Sequence, residues 1–192
     1  MNRVLACLIA SMWLIAPAWA DFETGVVRFE QGDLEGAVRE LTPVAVRGDP
    51  RAQYMLGAIF LTSATREAKI TEAADWMRKA AVQGHVEAQV ELARLYRIGR
   101  GVPRDPSKMV KWYEAAAGQG HVGAQLLVAD AYAYGQGVEQ DFVQAYVWYE
   151  IAMKYWGGLV QNAHNMVAAK MTPAQISKAK KLASARLEHT RK

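Results

Sequence analysis

The apolar and polar positions of this chain repeat with a period of 36 residues. Gly48, Gly84 and Gly120 mark the same position in three successive units, each 36 residues from the last. An alanine–glutamine pair follows each glycine, and a tryptophan and a second alanine follow later in the unit. These positions are Ala52, Gln53, Trp76 and Ala80, then Ala88, Gln89, Trp112 and Ala116, then Ala124, Gln125, Trp148 and Ala152. Three copies in register without an insertion are typical of a protein whose units stack side by side.

Each unit predicts two helices joined by a turn that contains glycine. In the second unit, the apolar positions of the first helix are Ala88, Leu92, Leu95 and Tyr96. Their spacing of i, i+4, i+7 and i+8 places them on one helix face. The turn 99–102 contains two glycines, which favour the left-handed conformation that ends a helix. Asp105 and Pro106 then predict the N-cap and first residue of the second helix. The buried side of that helix is expected to carry Met109, Trp112, Tyr113, Ala116 and Ala117.

The whole chain is predicted to be an all-α solenoid of antiparallel helix pairs. We expect a degenerate leading pair over 21–47, and capping helices over 156–192 that close the array. Between them lie three repeats, at 48–83, 84–119 and 120–155. In the first repeat, the turn over 62–69 has lost its glycines and aspartate, which predicts a looser connection. Leu159 to Lys170 and Pro173 to Glu188 are predicted to form the closing helix pair.

The repeated apolar positions are the predicted core. They are Ala52, Leu56, Trp76, Ala80, Ala88, Leu92, Tyr96, Trp112, Ala116, Ala124, Tyr132, Trp148 and Ala152. Small alanines let helix axes approach within about 8–10 Å, and the tryptophans are expected to fill the space beside them. On this interpretation Trp112→Ala should lower the free energy of unfolding by about 3–5 kcal/mol.

Residues 1–20 resemble a cleavable export signal. Arg3 precedes the apolar run 4–16, and Ala18-Trp19-Ala20 places small residues before a cleavage at Asp21. An uncleaved anchor is the weaker alternative because spanning a bilayer takes about 20 apolar residues. A lipoprotein processed at Cys7 is a second alternative. We therefore expect a protein in the periplasm or secreted, with no transmembrane segment in the mature chain.

The cysteine count and the net charge limit the kinds of function that this chain can have. Cys7 is the only cysteine, so a chain cleaved at residue 20 contains no disulfide and no thiolate. The net charge of +4 is too small to indicate nucleic-acid binding. Acidic residues dominate 21–49 and basic residues dominate 170–192, which is explained either by solvated terminal helices or by a surface that orients a partner.

The four histidines do not predict a metal site. His85 and His121 occupy the same position in consecutive repeats, which is farther apart than zinc bonds of about 2.0–2.1 Å permit. Both are expected to cap the first helix of their repeat, while His164 and His189 lack a partner at ligand spacing. The glycine turns do not continue into a phosphate loop, and no G-x-S-x-G motif is present. We predict no metal, no cofactor and no catalytic residue, and so no enzyme.

The repeat pattern resembles a known family. Gly-His-x-x-Ala-Gln, Leu-x-x-Tyr, Gly-x-Gly-Val, an aspartate and Trp-Tyr-x-x-Ala-Ala follow one another at 84–119 and 120–155. This order is similar to the Sel-one-like repeat, a relative of the tetratricopeptide repeat. The resemblance implies a right-handed superhelix that serves as a protein-interaction scaffold, usually at the bacterial envelope or in host contact. A shared fold does not by itself establish a shared function.

The predicted binding site lies on the first helices, in the concave groove of the solenoid. Its residues stand outside the packing motif and differ between repeats. They are Tyr54, Met55, Ala58, Leu61, Val90, Glu91, Arg94, Arg97, Leu126, Leu127 and Asp130, with Ala133 beside them. Varied side chains on a constant frame suit a specific groove. Ordinary exposure, and packing of the leucines against a neighbouring helix, is the alternative interpretation.

Three functions remain open on the sequence. The first is a non-catalytic scaffold or adaptor that binds another protein. The second is an envelope component that recognises glycan or peptidoglycan, which aromatic residues in the groove would favour. The third is a β-lactam-binding or β-lactam-hydrolysing enzyme, an activity discussed for cysteine-rich relatives. This chain has no S-x-x-K followed by K-T-G.

Overall fold

The described part of the chain consists of helices. The computed structural model describes residues 18–63 and 67–189, with side chains at 22–62 and 69–188. The helices are α1 Ala18–Glu30, α2 Leu34–Val46, α3 Pro50–Ser63, α4 Glu67–Val82, α5 Val86–Ile98, α6 Pro106–Gly118, α7 Val122–Tyr134, α8 Phe142–Trp156, α9 Gly158–Ala168 and α10 Pro173–His189. No strand occurs in these ranges. The all-α prediction is confirmed.

Helix boundaries follow from polar caps. The Asp105 carboxylate accepts a hydrogen bond from the Lys108 N–H at 3.0 Å, and Asp141 caps α8 in the same way. His85 and His121 cap α5 and α7, where Nδ1 accepts from the N–H of Ala88 at 3.3 Å and of Ala124 at 3.0 Å. The side chains thus satisfy N–H groups that a helix start leaves without a partner.

Consecutive helices pack against each other from α1 to α9, so each pair buries its apolar face against the next. The alanines of the repeat sit at these contacts and are inaccessible to solvent. They are Ala52, Ala80, Ala88, Ala116, Ala124 and Ala152. A larger side chain at these positions would separate the helix axes, so the alanines set the spacing of the array.

The glycine turns also hold the repeats in register. Gly101 has φ +70°, and a Cβ there would lie 2.5 Å from the carbonyl oxygen of Ile70 in the preceding repeat. Gly137 lies against Pro106 in the equivalent way, and the Ser107 hydroxyl donates to the Gly137 carbonyl at 3.0 Å. Glycine is therefore required both by the backbone conformation and by the close approach.

Buried glutamines link the repeats by hydrogen bonds. The side-chain amide of Gln53 donates to the Ala45 carbonyl at 3.0 Å. Gln89 donates to Ala81 at 3.1 Å, and Gln125 donates to Ala117 at 3.3 Å. Each bond joins the first helix of one repeat to the second helix of the pair before it. A polar side chain can be buried here because it satisfies a helix-end carbonyl.

Three of the predicted core residues are only half-buried: Trp76, Trp112 and Tyr132 pack at the edge of the core. In the first two repeats, the residue after the tryptophan occupies the interior, as Met77 and Tyr113 do. One step along a helix turns the side chain by about 100°, which moves the tryptophan to the margin. Trp148 is buried because α10 covers it, with the Arg186 guanidinium 4.5 Å from the ring centre.

The closing helices are present, but they do not form a pair. Helix α10 packs along α8, and it makes little contact with α9. Its apolar stripe includes the buried Ala179 and Ala183. Thr172 caps the helix reciprocally with Gln175, because each accepts a hydrogen bond from the backbone N–H of the other. The array therefore ends with a helix folded back over the second helix of the last repeat.

The predicted signal falls largely outside the described residues, which begin at residue 18. Of the predicted loose connection over 62–69, residues 64–66 also lie outside the described ranges, whereas the rest belongs to the ends of α3 and α4. Within the described ranges, none of the helices combines the length and apolar character needed to cross a bilayer.

We expect Tyr113→Ala to destabilise the protein more than Trp112→Ala. Tyr113 is buried and its truncation leaves a cavity, which typically costs about 3–5 kcal/mol for an aromatic residue. Trp112 keeps part of its surface in water, so its truncation should lower the free energy of unfolding by less. Urea unfolding of both variants checks the order, and an equal loss would contradict the helix orientation described here.

A matched pair of glycine variants tests the inter-repeat contact. Gly84 and Gly101 both have positive φ, but a Cβ at Gly84 would meet nothing within 4 Å. Gly84→Ala should therefore cost only backbone strain, about 1–2 kcal/mol. Gly101→Ala adds a clash with Ile70 and should cost about 1–3 kcal/mol more. Similar melting temperatures for the two variants would show that the contact does not constrain the stacking.

The His85 cap predicts that stability falls in weak acid. Burial lowers the pKa of His85 below its usual 6.5, against the opposing charges of Glu87 and Asp49. As the pH falls, the unfolded chain therefore takes up a proton at a higher pH than the folded chain does. The contribution of His85 to the free energy of unfolding is complete above pH 6.5 and declines as the pH falls below that value. His85→Asn keeps a capping oxygen without titrating. The variant should lose less stability between pH 8 and pH 5, and an unchanged pH dependence would refute the assignment.

Candidate protein-binding surface

Ten of the predicted binding residues form a surface that we call the first-helix face. They are half-buried or exposed and lie on α3, α5 and α7. These residues are Tyr54, Met55, Ala58, Val90, Glu91, Arg94, Arg97, Leu126, Leu127 and Asp130. The helices hold them on the rigid frame that the alanines and glutamines define.

Leu61 does not belong to this surface. Its side chain is 8% exposed, and its carbonyl accepts a hydrogen bond from the Arg100 guanidinium at 3.1 Å. The turn of the second repeat thus lies over the end of α3. Ala133, the counterpart in the third repeat, is buried as well, and its carbonyl accepts from Gln140 at 2.7 Å. The prediction failed here because the helix period alone does not show where a turn will fold back.

The first-helix face continues from the first repeat to the second. The ring of Tyr54 stacks on the ring of His85, with centroids 4.6 Å apart and planes at 23°. Burial raises the pKa of Tyr54, and the nearby carboxylates of Glu91 and Glu87 raise it further. Aromatic stacking between α3 and the start of α5 therefore joins the two helices into one surface.

An ion pair occupies the middle of this face. Arg94 donates a hydrogen bond from Nε to a carboxylate oxygen of Glu91 at 2.9 Å, and a terminal guanidinium nitrogen lies 2.7 Å from the same oxygen. Both side chains remain about one-third exposed. Burial raises the pKa of Tyr113 beneath them, while the positive charge of Arg97 opposes that shift. The second repeat thus offers a fixed carboxylate, a fixed guanidinium and an exposed Arg97.

The third repeat has a different chemistry. Asp130 accepts a hydrogen bond from the Tyr149 hydroxyl at 2.5 Å, and burial together with this bond raises the pKa of that hydroxyl strongly. Leu126 and Leu127 stand beside it, half-buried against the core. The face therefore changes from an aromatic ring in the first repeat to an ion pair in the second, and to two leucines beside an acidic residue in the third.

Sequence reasoning missed the contributions of His85 and of the second helices. His85 was expected only to cap α5, yet it also forms the contact with Tyr54. Tyr113 and Tyr149 lie beneath the charged residues of the face. Their signal in the sequence was their position directly after the repeated tryptophan.

His164 also has a partner that its spacing did not reveal. Its Nε2 lies 2.8 Å from a carboxylate oxygen of Glu150, and its ring is 4.3 Å from that of Tyr146. One histidine and one glutamate do not make a metal site. In the ranges that the structure covers, no three metal-ligating side chains come together.

Comparison with known proteins supports the repeat assignment. The sequence model of the Sel1 repeat matches residues 50–85, 86–121 and 122–153. These ranges cover more than half of the 192 residues. No protein with a curated description is significantly similar to the chain.

Among the solved structures that match this chain, two illustrate the similarity in both sequence and fold. One is a protective antigen of uropathogenic Escherichia coli strains that displays an SLR fold, with 30% identity and a TM-score of 0.73. The match covers 89% of this chain and 38% of the antigen, so the chain spans less than half of that protein. The other is a Sel1 repeat protein from Oxalobacter formigenes, with 34% identity and a TM-score of 0.58 over 67% of this chain and 96% of that one. The three matched units and these relatives show that the chain belongs to the Sel1 repeat family.

Proposed function

We propose that this protein is an exported, non-catalytic adaptor that binds a partner protein through the first-helix face. Sel1 repeat proteins generally mediate protein–protein interactions. The observation that carries the proposal is the contrast between frame and face. Alanine and glutamine recur unchanged in the frame, while equivalent face positions hold Tyr54, Val90 and Leu126.

The face is organised as a specific binding surface. The Glu91–Arg94 pair orients both charges before a partner arrives, so little side-chain entropy is lost on binding. Arg97 is exposed beside them, and arginine is enriched among residues that dominate interface energies. We expect the matching surface of the partner to carry an acidic group that contacts Arg97, with apolar groups that contact the first and third repeats.

A protein partner fits this face better than a glycan. A sugar that binds to an aromatic side chain packs on an open face of its ring. Tyr54 is the aromatic residue of the first-helix face, and its ring stacks on His85. The charged and apolar pattern of residues 1–20 resembles an export signal and supports the proposal that the adaptor acts in the periplasm or outside the cell.

Site-specific photo-crosslinking tests this function. A photoreactive residue at Arg97 in the full-length chain, expressed in its own cells, should give a discrete protein adduct. The matched control is Lys111, which is exposed on α6 and lies outside the first-helix face. An adduct from Lys111 alone would move the site to the second helices, and no adduct from either position would contradict the adaptor function.

A charge-swap variant separates binding from folding. Glu91→Arg together with Arg94→Glu keeps an ion pair within the helix but reverses the charges that a partner meets. Helicity and melting temperature should be unchanged, since an exposed pair contributes only about 0.2–1 kcal/mol. Capture of the crosslinked partner should fall at least tenfold, and undiminished capture would show that the pair is not part of the interface.

A further inference from the structure

His85 lies where the first-helix face passes from the first repeat to the second, and one of its ring nitrogens has two competing neighbours. As the N-cap of α5, Nδ1 accepts a hydrogen bond from the backbone N–H of Ala88 at 3.3 Å. The same Nδ1 lies 3.2 Å from a carboxylate oxygen of Glu87. The Ala88 N–H can bond only an unprotonated Nδ1, whereas the Glu87 carboxylate can bond only a protonated one. The two hydrogen bonds therefore exclude each other.

Protonation of the ring decides between these two neighbours. The neutral ring caps the helix and stacks on Tyr54, with centroids 4.6 Å apart. A charged imidazolium has no lone pair for the Ala88 N–H, and the partial positive charge at a helix N-terminus repels it. The Glu87 carboxylate attracts it toward solvent, because the Glu87 side chain is 60% exposed while that of His85 is only 16% exposed. Each of these forces draws the charged ring away from the helix start.

The third repeat contains the same cap without the competing carboxylate. His121 accepts a hydrogen bond from the Ala124 N–H at 3.0 Å, in the same way as His85 does in the second repeat. Gly123 occupies the position 36 residues after the glutamate, and Val90 occupies the position 36 residues after the stacked tyrosine. Capping a helix of this array therefore needs neither the carboxylate nor the tyrosine.

The groups around His85 place the exchange of partners in weak acid. Burial lowers the pKa of His85 below its usual 6.5, and the charges of Glu87 and Asp49 oppose that shift. Asp49, just before α3, is itself paired with Arg51 at 2.7 Å. Tyr54 on α3 is uncharged in this range because burial raises its pKa. In the described chain, no charged group of the flanking helices α4 and α6 acts on the pKa of His85.

We propose that protonation of His85 in weak acid breaks its stack with Tyr54 and so switches the first-helix face from an ordered to a loosened state. The exchange gives up the cap on Ala88 and forms an ion pair with Glu87. Tyr54 then loses the ring that holds it, so the face is less pre-organised for a partner. The effect on partner binding rests on the adaptor function proposed above, whereas the exchange at His85 does not.

Spectra of the full-length protein without a partner test the exchange. The ring signals of His85 and Tyr54 are assigned by their disappearance in His85→Asn and Tyr54→Leu. At pH 7.5 we expect nuclear Overhauser contacts between the two rings, and these contacts should be lost as the pH falls and His85 titrates. Contacts that persist once His85 is protonated would overturn the proposal.

Glu87→Gln tests whether the carboxylate drives the exchange. Glutamine has a similar shape but no charge to attract the imidazolium, so the loss of ring contacts should move to a lower pH by about half a unit or more. Glu91→Gln is the matched control on the same helix, because the Glu91 carboxylate is paired with Arg94 and should leave the midpoint unchanged. Equal midpoints for the two variants would overturn the role of Glu87 and the proposal with it.

The photoreactive residue at Arg97 tests the consequence for binding. In cells suspended at pH 5.5, the yield of the partner adduct should be about threefold lower, or less still, than at pH 7.5. His85→Asn keeps a cap that does not titrate, so its adduct yields should be equal at the two pH values. An equal loss in His85→Asn would show that His85 does not control the face. No adduct at either pH contradicts the adaptor function instead, and the spectra then still decide the exchange.

Discussion

The close stacking of helix pairs is the constraint on which the rest of this structure depends. One pair cannot bury its apolar face by itself, so every pair needs the next one at a fixed distance. Solvent-inaccessible alanines such as Ala88 and Ala124 set that distance, and a glycine turn lies against the preceding repeat at Gly101. Buried glutamines then fix the register, because each bonds a carbonyl at the end of the helix before it.

This frame separates stability from recognition. The alanine and glutamine positions that pack against the neighbouring helix pair are constant, whereas the positions of the first-helix face differ between repeats. The boundary between the two sets is sharp: Ala58 is half-exposed, whereas Leu61, one helical turn later, is covered by Arg100 from the next repeat. Ion pairing between Glu91 and Arg94 and stacking of Tyr54 on His85 then hold the variable side chains in place.

The end of the array breaks the pattern in a chemically specific way. A fourth repeat would have packed against the helix pair α7–α8 as each earlier pair packs against the next. Helix α10 instead folds back along α8 and buries Trp148. Tyr155 stands where Gln83 and Gln119 donate to the buried glutamine of the earlier repeats, so Gln125 lacks that donor within the described residues. The last repeat therefore differs from the two before it in the burial of its tryptophan and in the pairing of its glutamine.

By itself the sequence determined the helical repeat, its caps and its family, because these depend on local spacing: a 36-residue period, Asp105 before Pro106, and paired glycines in the turns. Tertiary structure decided what neighbouring repeats do to each other. Trp112 lies at the edge of the core while Trp148 is buried, although both occupy the same repeat position. In the same way, Leu61 is buried because a turn of the next repeat lies over it, and α10 packs on α8 instead of pairing with α9. Burial depends on which segment folds over a residue, and that segment can be far away in the chain, where a helix period carries no information about it.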